Sequence, residues 1–171
     1  FNDIQICGER ERAVVNSIIN EHGLPMSTVA PFRADHPIFT DVAPFVIGHS
    51  SKAGTLDMLL NAGHLHDELV GQALARGLPL FGSSANTSLR GSKYRLEDIE
   101  APVRAAADIA FDHGLGKYAN DAGRSSTIID LRDFKTIRVG VCYERICEIL
   151  LEEFAIDLAA IGLAGERAAM G

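Results

Sequence analysis

Gly82-Ser-Ser-Ala-Asn-Thr-Ser-Leu-Arg-Gly-Ser92 is the stretch around which the rest of the chain is read. It follows a short apolar run, Leu78-Pro-Leu-Phe81, which reads as a strand bounded by turn residues. Small and hydroxyl-bearing side chains then crowd together. Such a loop presents backbone N–H groups and Ser/Thr hydroxyls with little bulk in front of them, which suits an anion and above all a phosphate. The same residue types also build ordinary polar surface loops, so the neighbouring elements decide between the two readings.

Upstream of the loop, Leu65 to Arg76 has the spacing of an amphipathic helix. Leu65, Leu69, Val70, Ala73 and Leu74 fall on one side, and Gly77 stands just past its end. Downstream, Ser92 is placed to cap a short helix through Leu96 and Ile99, limited by Pro102. Asp108 to Asp112 reads as a strand closed by His113-Gly114. Ser126 to Leu131 is a β-branched strand, and Lys135 to Val139 is another a short turn away, which predicts an antiparallel pair. Glu144 to Phe154 is a final amphipathic helix with Ile146, Ile149, Leu150 and Phe154 inward.

At the other end of the chain, Asn2 to Ile6 reads as an extended lead-in. Glu9 to His22 reads as a helix with a stripe of Val14, Val15, Ile18 and Ile19, stopped by Gly23. Pro25 to Thr40 holds three prolines and reads mostly as turns and short extended pieces. Phe45 to Ile47 is a candidate for a short buried strand, His49 to Gly54 a loop, and Thr55 to Leu60 a strand or a helical turn. Helices and strands interleave without strict βαβ regularity. The expected class is α/β, an open twisted mixed sheet with flanking helices. It forms a single domain over residues 1–154 with an Ala/Gly-rich tail at 155–171, and there is no internal repeat or linker.

With 171 residues, 47% of them hydrophobic, the chain can bury a substantial core. A net charge of −7 disfavours a general nucleic-acid coat, which needs an excess of Lys and Arg. Cys7, Cys142 and Cys147 form no CxxC and read as structural thiols of a reducing cytoplasm. No run reaches the roughly 18 apolar residues of a membrane span. The first residue is Phe1, so the sequence is expected to begin inside a longer protein or after processing.

Three polar clusters fall at expected strand ends, where ligands of open α/β sheets collect. They are Ser83, Ser84, Asn86 and Ser92; Asp121 to Thr127; and Arg138 before Gly140. Together they supply hydroxyls, a carboxamide and guanidinium forks, the groups that hold a nucleotide triphosphate, and they are expected to form one site. Other motifs say less. In His64-Leu-His-Asp67 the acid comes one position early for a metal-binding HxHxD, so no metal site is expected. Ser50-Ser-Lys52 has neither the GxSxG nor the SxxK setting of a nucleophile, and Walker A and GxGxxG patterns are absent. No residue is singled out as catalytic.

Leu80 to Ser92 (LFGSSANTSLRGS), Ala122 to Asp130 (AGRSSTIID) and Thr136 to Gly140 (TIRVG), in this order and at this spacing, resemble the YrdC-like family of threonylcarbamoyl-AMP synthases. The resemblance covers roughly Leu65 to Leu150. It implies an open twisted sheet with a concave polar ligand surface. The reaction implied joins L-threonine, bicarbonate and ATP into threonylcarbamoyl-AMP and pyrophosphate, a nucleotidyl transfer that serves the tRNA modification t6A. By the same resemblance Ser84, Asn86, Ser92 and Arg138 contact ATP, with Mg²⁺ accompanying the phosphates. Ser126 and Gly82 fall on the side of a small amino-acid-like substrate. Catalysis of this kind positions groups and neutralises phosphate charge.

The chain also departs from the family. The family's Thr-rich first strand and Lys-x-Arg segment are not in it, and no Arg occurs between Arg33 and Arg76. Gly82 stands where a Thr is usual, and Val139 follows Arg138 where a Pro is usual. A fragment, or a paralogue with another substrate, would show these differences. The alternative function is a double-stranded RNA or tRNA-binding module with Arg90, Lys93, Arg95 and Arg104 as a basic rim, or else an inactive structural partner.

Overall fold

Where the prolines predict turns, the computed structural model places the central strand of a sheet, β1 (Met26–Pro31). The residues between the two prolines explain it. Thr28 and Val29 are strand formers, and Pro31 occupies the last rung, where the missing N–H costs nothing. Its carbonyl accepts from the Ile6 amide at 2.7 Å. The structure describes residues 1–87 and 91–164. Before β1 come α1 (Glu9–Asn16) and a π-helical turn (Ser17–Glu21). After it come α2 (Pro44–Ser50), β2 (Ser51–Lys52), β3 (Thr55–Leu60), α3 (His64–Leu74), α4 (Ala101–Ala105), β4 (Ile128–Asp130), β5 (Thr136–Arg138), α5 (Tyr143–Phe154) and α6 (Leu158–Ile161). The chain divides into two compact units, Phe1–Leu80 with Ser126–Gly171, and Phe81–Ser125.

The first unit is an α/β layer built on a mixed, open, five-stranded sheet of order β2-β3-β1-β4-β5. β1 runs antiparallel to β3, with Ala30 opposite Leu56, and parallel to β4, with Thr28 opposite Ile129. The hairpin of β4 and β5 is antiparallel, as its short connection predicts. This register turns Met26, Thr28, Ala30, Leu56 and Ile129 to one face, where all are buried. Val14, Val15 and Ile18 from the N-terminal helix, Ile146, Ile149 and Leu150 from α5, and Leu158 from α6 complete that core. Burying each such aliphatic side chain contributes about 1.5–3 kcal/mol.

A polar residue is sealed into the same layer. The Gln5 side-chain nitrogen donates to the carbonyls of Thr28 (2.9 Å) and Leu56 (3.0 Å), and its oxygen accepts from Thr28 Oγ1 (2.8 Å). The lead-in is thereby stitched to β1 and β3.

Several short apolar runs are not the strands they resemble. Phe45-Val-Ile47 belongs to α2, whose first residue is Pro44, and Phe45 points into solvent. A proline at the first helical position explains the outcome, since its fixed φ is already helical. Leu78 to Phe81 forms no strand, and Leu78 and Leu80 are exposed. Asp108 to Asp112 forms none either, with Ile109 and Phe111 in solvent. Runs this short carry no period that separates a strand from a loop. Ser92 starts no helix: a 3-10 turn begins at Leu96 after Arg95, and α4 begins at Ala101.

α3 forms where its periodicity places it, and Gly77 closes it at φ +68°, yet none of its residues is buried. No helix among the described residues is long and apolar enough to cross a membrane.

Candidate functional site

The alternation that buries Thr28 turns its neighbours to the opposite face of the sheet. Ser27 and Val29 of β1 look that way, as do Asp57 opposite Val29, Ile128 opposite Ser27, and Arg138 opposite Ile128. Ser126, two residues before Ile128, shares the face. Three polar side chains join there. Arg138 Nε donates to the Ser126 carbonyl and Nη2 to Ser126 Oγ, both at 2.8 Å. Ser126 Oγ lies 3.3 Å from Ser27 Oγ, and Asp57 stands on the same face, opposite Val29. Because the guanidinium can only donate, the Ser126 hydroxyl accepts from Arg138 and is left to donate toward Ser27. The result is a short line from β5 through Ser126, just ahead of β4, to β1, in which each bond strengthens the next.

Asp57 and Arg138, the two charges on this face, are both partly stripped of water. Loss of hydration pushes the Asp57 carboxyl above the usual carboxylate range, and Arg138 and the Ser27 hydroxyl only partly offset it. Asp57 is thus exposed as a residue while its carboxyl is partly stripped of water. Desolvation likewise lowers the proton affinity of Arg138, against the pull of Asp57, though a guanidinium stays charged at any ordinary pH. Thr127, fully buried, anchors the turn after β5: its Oγ1 donates to the Val141 carbonyl at 2.9 Å and accepts from the Gly140 amide at 3.2 Å.

The second unit carries the other residues read as site residues. Ser84 Oγ donates to Asn86 Oδ1, and Asn86 Nδ2 to the Thr87 carbonyl at 2.9 Å. Thr87 Oγ1 donates to Glu100, which also pairs with Lys93 at 3.6 Å, so this member of the basic rim is neutralised locally. Gly82 and Ser84 are exposed and Ser92 half-buried. A Cβ on Gly82 would meet no described atom within 4 Å, so crowding does not explain the glycine. Ser88, Leu89 and Arg90, read as part of the loop and its basic rim, lie outside the described residues. Ser126 and Arg138 therefore meet in one unit, and Ser84 and Asn86 in the other.

Sequence reading missed several residues that organise these groups. Asn120 Nδ2 bonds Tyr94 Oη at 3.0 Å and the Arg124 carbonyl at 2.9 Å, its Oδ1 accepts from the Arg124 amide at 2.9 Å, and Tyr94 Oη donates to the Arg124 carbonyl at 2.7 Å. This knot shapes the Asp121–Ser125 approach. On the sheet, Ser27 and Asp57 were missed. The available signal was Asp57 itself, a charge inside the apolar strand Thr55-Leu-Asp-Met-Leu-Leu60.

Other candidate chemistry is muted. Among the described residues no group of three or more His, Cys, Asp and Glu side chains forms a metal site, and His66 pairs only with Asp67, at 3.0 Å, in the hydrogen bonds of its ring. The three cysteines are in no disulfide and are half-buried, and burial pushes the Cys7 and Cys147 thiols up, away from the reactive thiolate. A cleft of about 180 Å³ opens between Ile6, Cys7, Gly8, Glu11, Pro31 and Arg132. Arg132 already grips Asp130 through Nε and Nη2, and Glu11 fills the start of α1, its Oε2 only 2.5 Å from where a Gly8 Cβ would be. The line of Arg138, Ser126 and Ser27 on the sheet is the stronger candidate, with Arg138 exposed at its end. No family model, curated protein or solved structure matches the chain.

Proposed function

We propose that this chain is a YrdC-like nucleotide-binding protein. On this reading it resembles the threonylcarbamoyl-AMP synthases, with ATP held through Arg138 and a small amino-acid-like substrate beside Ser126. The observation that carries the reading is the clasp of Arg138 on Ser126. These are the residues that two of the three resembling motifs assign to ligand, and a two-point contact orients the guanidinium on a solvent-facing sheet surface. The clasp uses Nε and Nη2, the same edge of the guanidinium. Arginine is the side chain whose planar fork matches phosphate and carboxylate oxygens. In the second unit, Ser84, Asn86 and Ser92 are the ATP contacts that the resemblance assigns, and the exposure of Ser84 leaves its hydroxyl accessible. Mg²⁺ enters such a site as the counter-ion of the phosphates, since this face offers hydroxyls and the lone Asp57 carboxylate rather than a set of ligands of its own.

The test is calorimetric titration with Mg-ATP of the wild-type chain and of Arg138→Ala. A charge-assisted contact to phosphate is worth about 1.5–3 kcal/mol, so the variant should bind roughly tenfold or more weakly. Equal affinities would remove Arg138 from nucleotide binding.

A further inference from the structure

The N-terminal helix changes pitch part-way along. After α1, residues Ser17–Glu21 form a π-helical turn, closed by the bond from the His22 amide to the Ser17 carbonyl at 2.9 Å. Bonds of this spacing are rare, and a helix left to itself takes the α pattern. Here a side chain of another element grips the turn. Glu153 of α5 accepts from Ser17 Oγ at 2.6 Å through Oε2, and His22 Nε2 hydrogen-bonds its Oε1 at 2.6 Å. Ser17 is buried, so its hydroxyl needs this acceptor. One carboxylate reaches both residues because the π turn stacks position 22 over position 17. In an α-helix, with about 100° between successive residues, positions five apart stand about 140° apart around the axis, and position 21 stacks over position 17 instead. Position 21 is Glu21. The α register would set a second carboxylate beside Glu153 and turn His22 away from it, and like charges so placed repel. The turn is also held from β3. Asn61, which follows that strand with φ +51°, donates through Nδ2 to the Ile19 carbonyl at 3.2 Å and to the Leu24 carbonyl at 3.1 Å.

We infer that Glu153 is a register key. It attracts His22 and the Ser17 hydroxyl, repels Glu21, and so holds the N-terminal helix in the π register against the α register. The helix is then an element with two settings, and α5 chooses between them. Withdrawal of Glu153 lets the helix close its α pattern, with the residue gained passed into the turn at Gly23, where φ is already +63°. The carbonyl of Ile19 swings away from Asn61 in the same step. A displacement of α5 is thereby read at the end of β3, where the connection to α3 begins. The plain alternative is that re-entry into β1 at Gly23 imposes the π turn by itself. In that case neither Glu153 nor Glu21 affects the register.

The experiment reads the register from scalar couplings across backbone hydrogen bonds in the isotopically labelled full chain, since each coupling names its donor amide and acceptor carbonyl. The wild type should couple the His22 amide to the Ser17 carbonyl. Two surface substitutions throw the switch in different ways. Glu153→Ala removes the key, and Glu21→Lys gives the α register a cation to set against Glu153. Each should lose the coupling from His22 to Ser17 and gain one from the Glu21 amide to the Ser17 carbonyl. In both, the side-chain amide protons of Asn61 should lose their protection from exchange with water. Urea midpoints check that each variant is folded. The inference is overturned if either folded variant keeps the coupling from His22 to Ser17, or if the wild type already couples Glu21 to Ser17.

Discussion

Gln5 is a polar side chain with no exposed surface, and both of its ends are spoken for by β1 and β3. Truncation would strand the Thr28 hydroxyl and two carbonyls in a layer that water does not enter. Gln5→Ala should therefore cost about 1–3 kcal/mol, read as a lower urea midpoint at unchanged slope. Asp57 makes a prediction of opposite flavour. Its folded-state pKa lies above that of the unfolded chain, about 3.9, so between the two values the native state holds more protons. Stability from this group is lost as pH rises through that window and recovered as pH falls. Urea midpoints at pH 7 and pH 4 should show the wild type gaining relative to Asp57→Asn on acidification. A constant difference would mean that the carboxyl is not desolvated. Glu153 acts the other way. Hydrogen bonds from Ser17 and His22 hold its pKa down, so its contribution fades as pH falls. Arg138 and Ser126 were legible in the sequence because a motif marks them. Ser27 and Asp57 were not, because their place on the Arg138 face depends on which residues of neighbouring strands stand opposite one another, and register is a tertiary property.

Two helices of similar amphipathic pattern have different fates. α5 buries Ile146, Ile149 and Leu150 completely, while α3 leaves Leu65, Leu69 and Leu74 about half exposed. The same truncation should thus read differently in each. Leu150→Ala should cost about 2–5 kcal/mol through lost burial and a residual cavity. Leu69→Ala should stay within about 0.5 kcal/mol, as a surface change does. Thermal melts of the two variants check the contrast, and a large loss at Leu69 would show that α3 has a covering the sequence alone does not reveal. At this scale the sequence was readable where a period persisted. α5 and the β4–β5 pair stand where apolar spacing and β-branched residues put them. β1 escaped notice because its flanking prolines look like punctuation, and the runs at Phe45, Leu78 and Asp108 deceived because a few apolar residues do not declare a period. The open mixed sheet was expected as a class, but the segment that forms its central strand was read as turns and short extended pieces.

For the molecule as a whole, the site is short of cations. No Arg lies between Arg33 and Arg76, Gly82 carries no hydroxyl, and Asp57 puts a carboxylate on the same sheet face as Arg138. Each missing charged contact in a phosphoryl-type transition state costs a few kcal/mol, or about two orders of magnitude in rate. Incubated with ATP, bicarbonate and L-threonine, this chain should release little or no threonine-dependent pyrophosphate, even while it holds a nucleotide. Release near about one turnover per second would show that Lys52 or another group supplies what is missing. The net charge of −7 sets a further expectation: no salt-sensitive shift of double-stranded RNA at physiological ionic strength. The arrangement of the sheet also has a consequence in time. The central strand, Met26–Pro31, has as its parallel neighbour Ile128–Asp130, and the whole second unit is translated between them. At about 5–20 residues per second, a nascent chain holds β1 and β3 as an unclosed pair for several seconds before β4 leaves the ribosome. Through that interval Met26, Ala30 and Leu56 have no lid of α5 to shelter them. The early half is then a client for holding chaperones, and a slowed ribosome would lengthen its exposure.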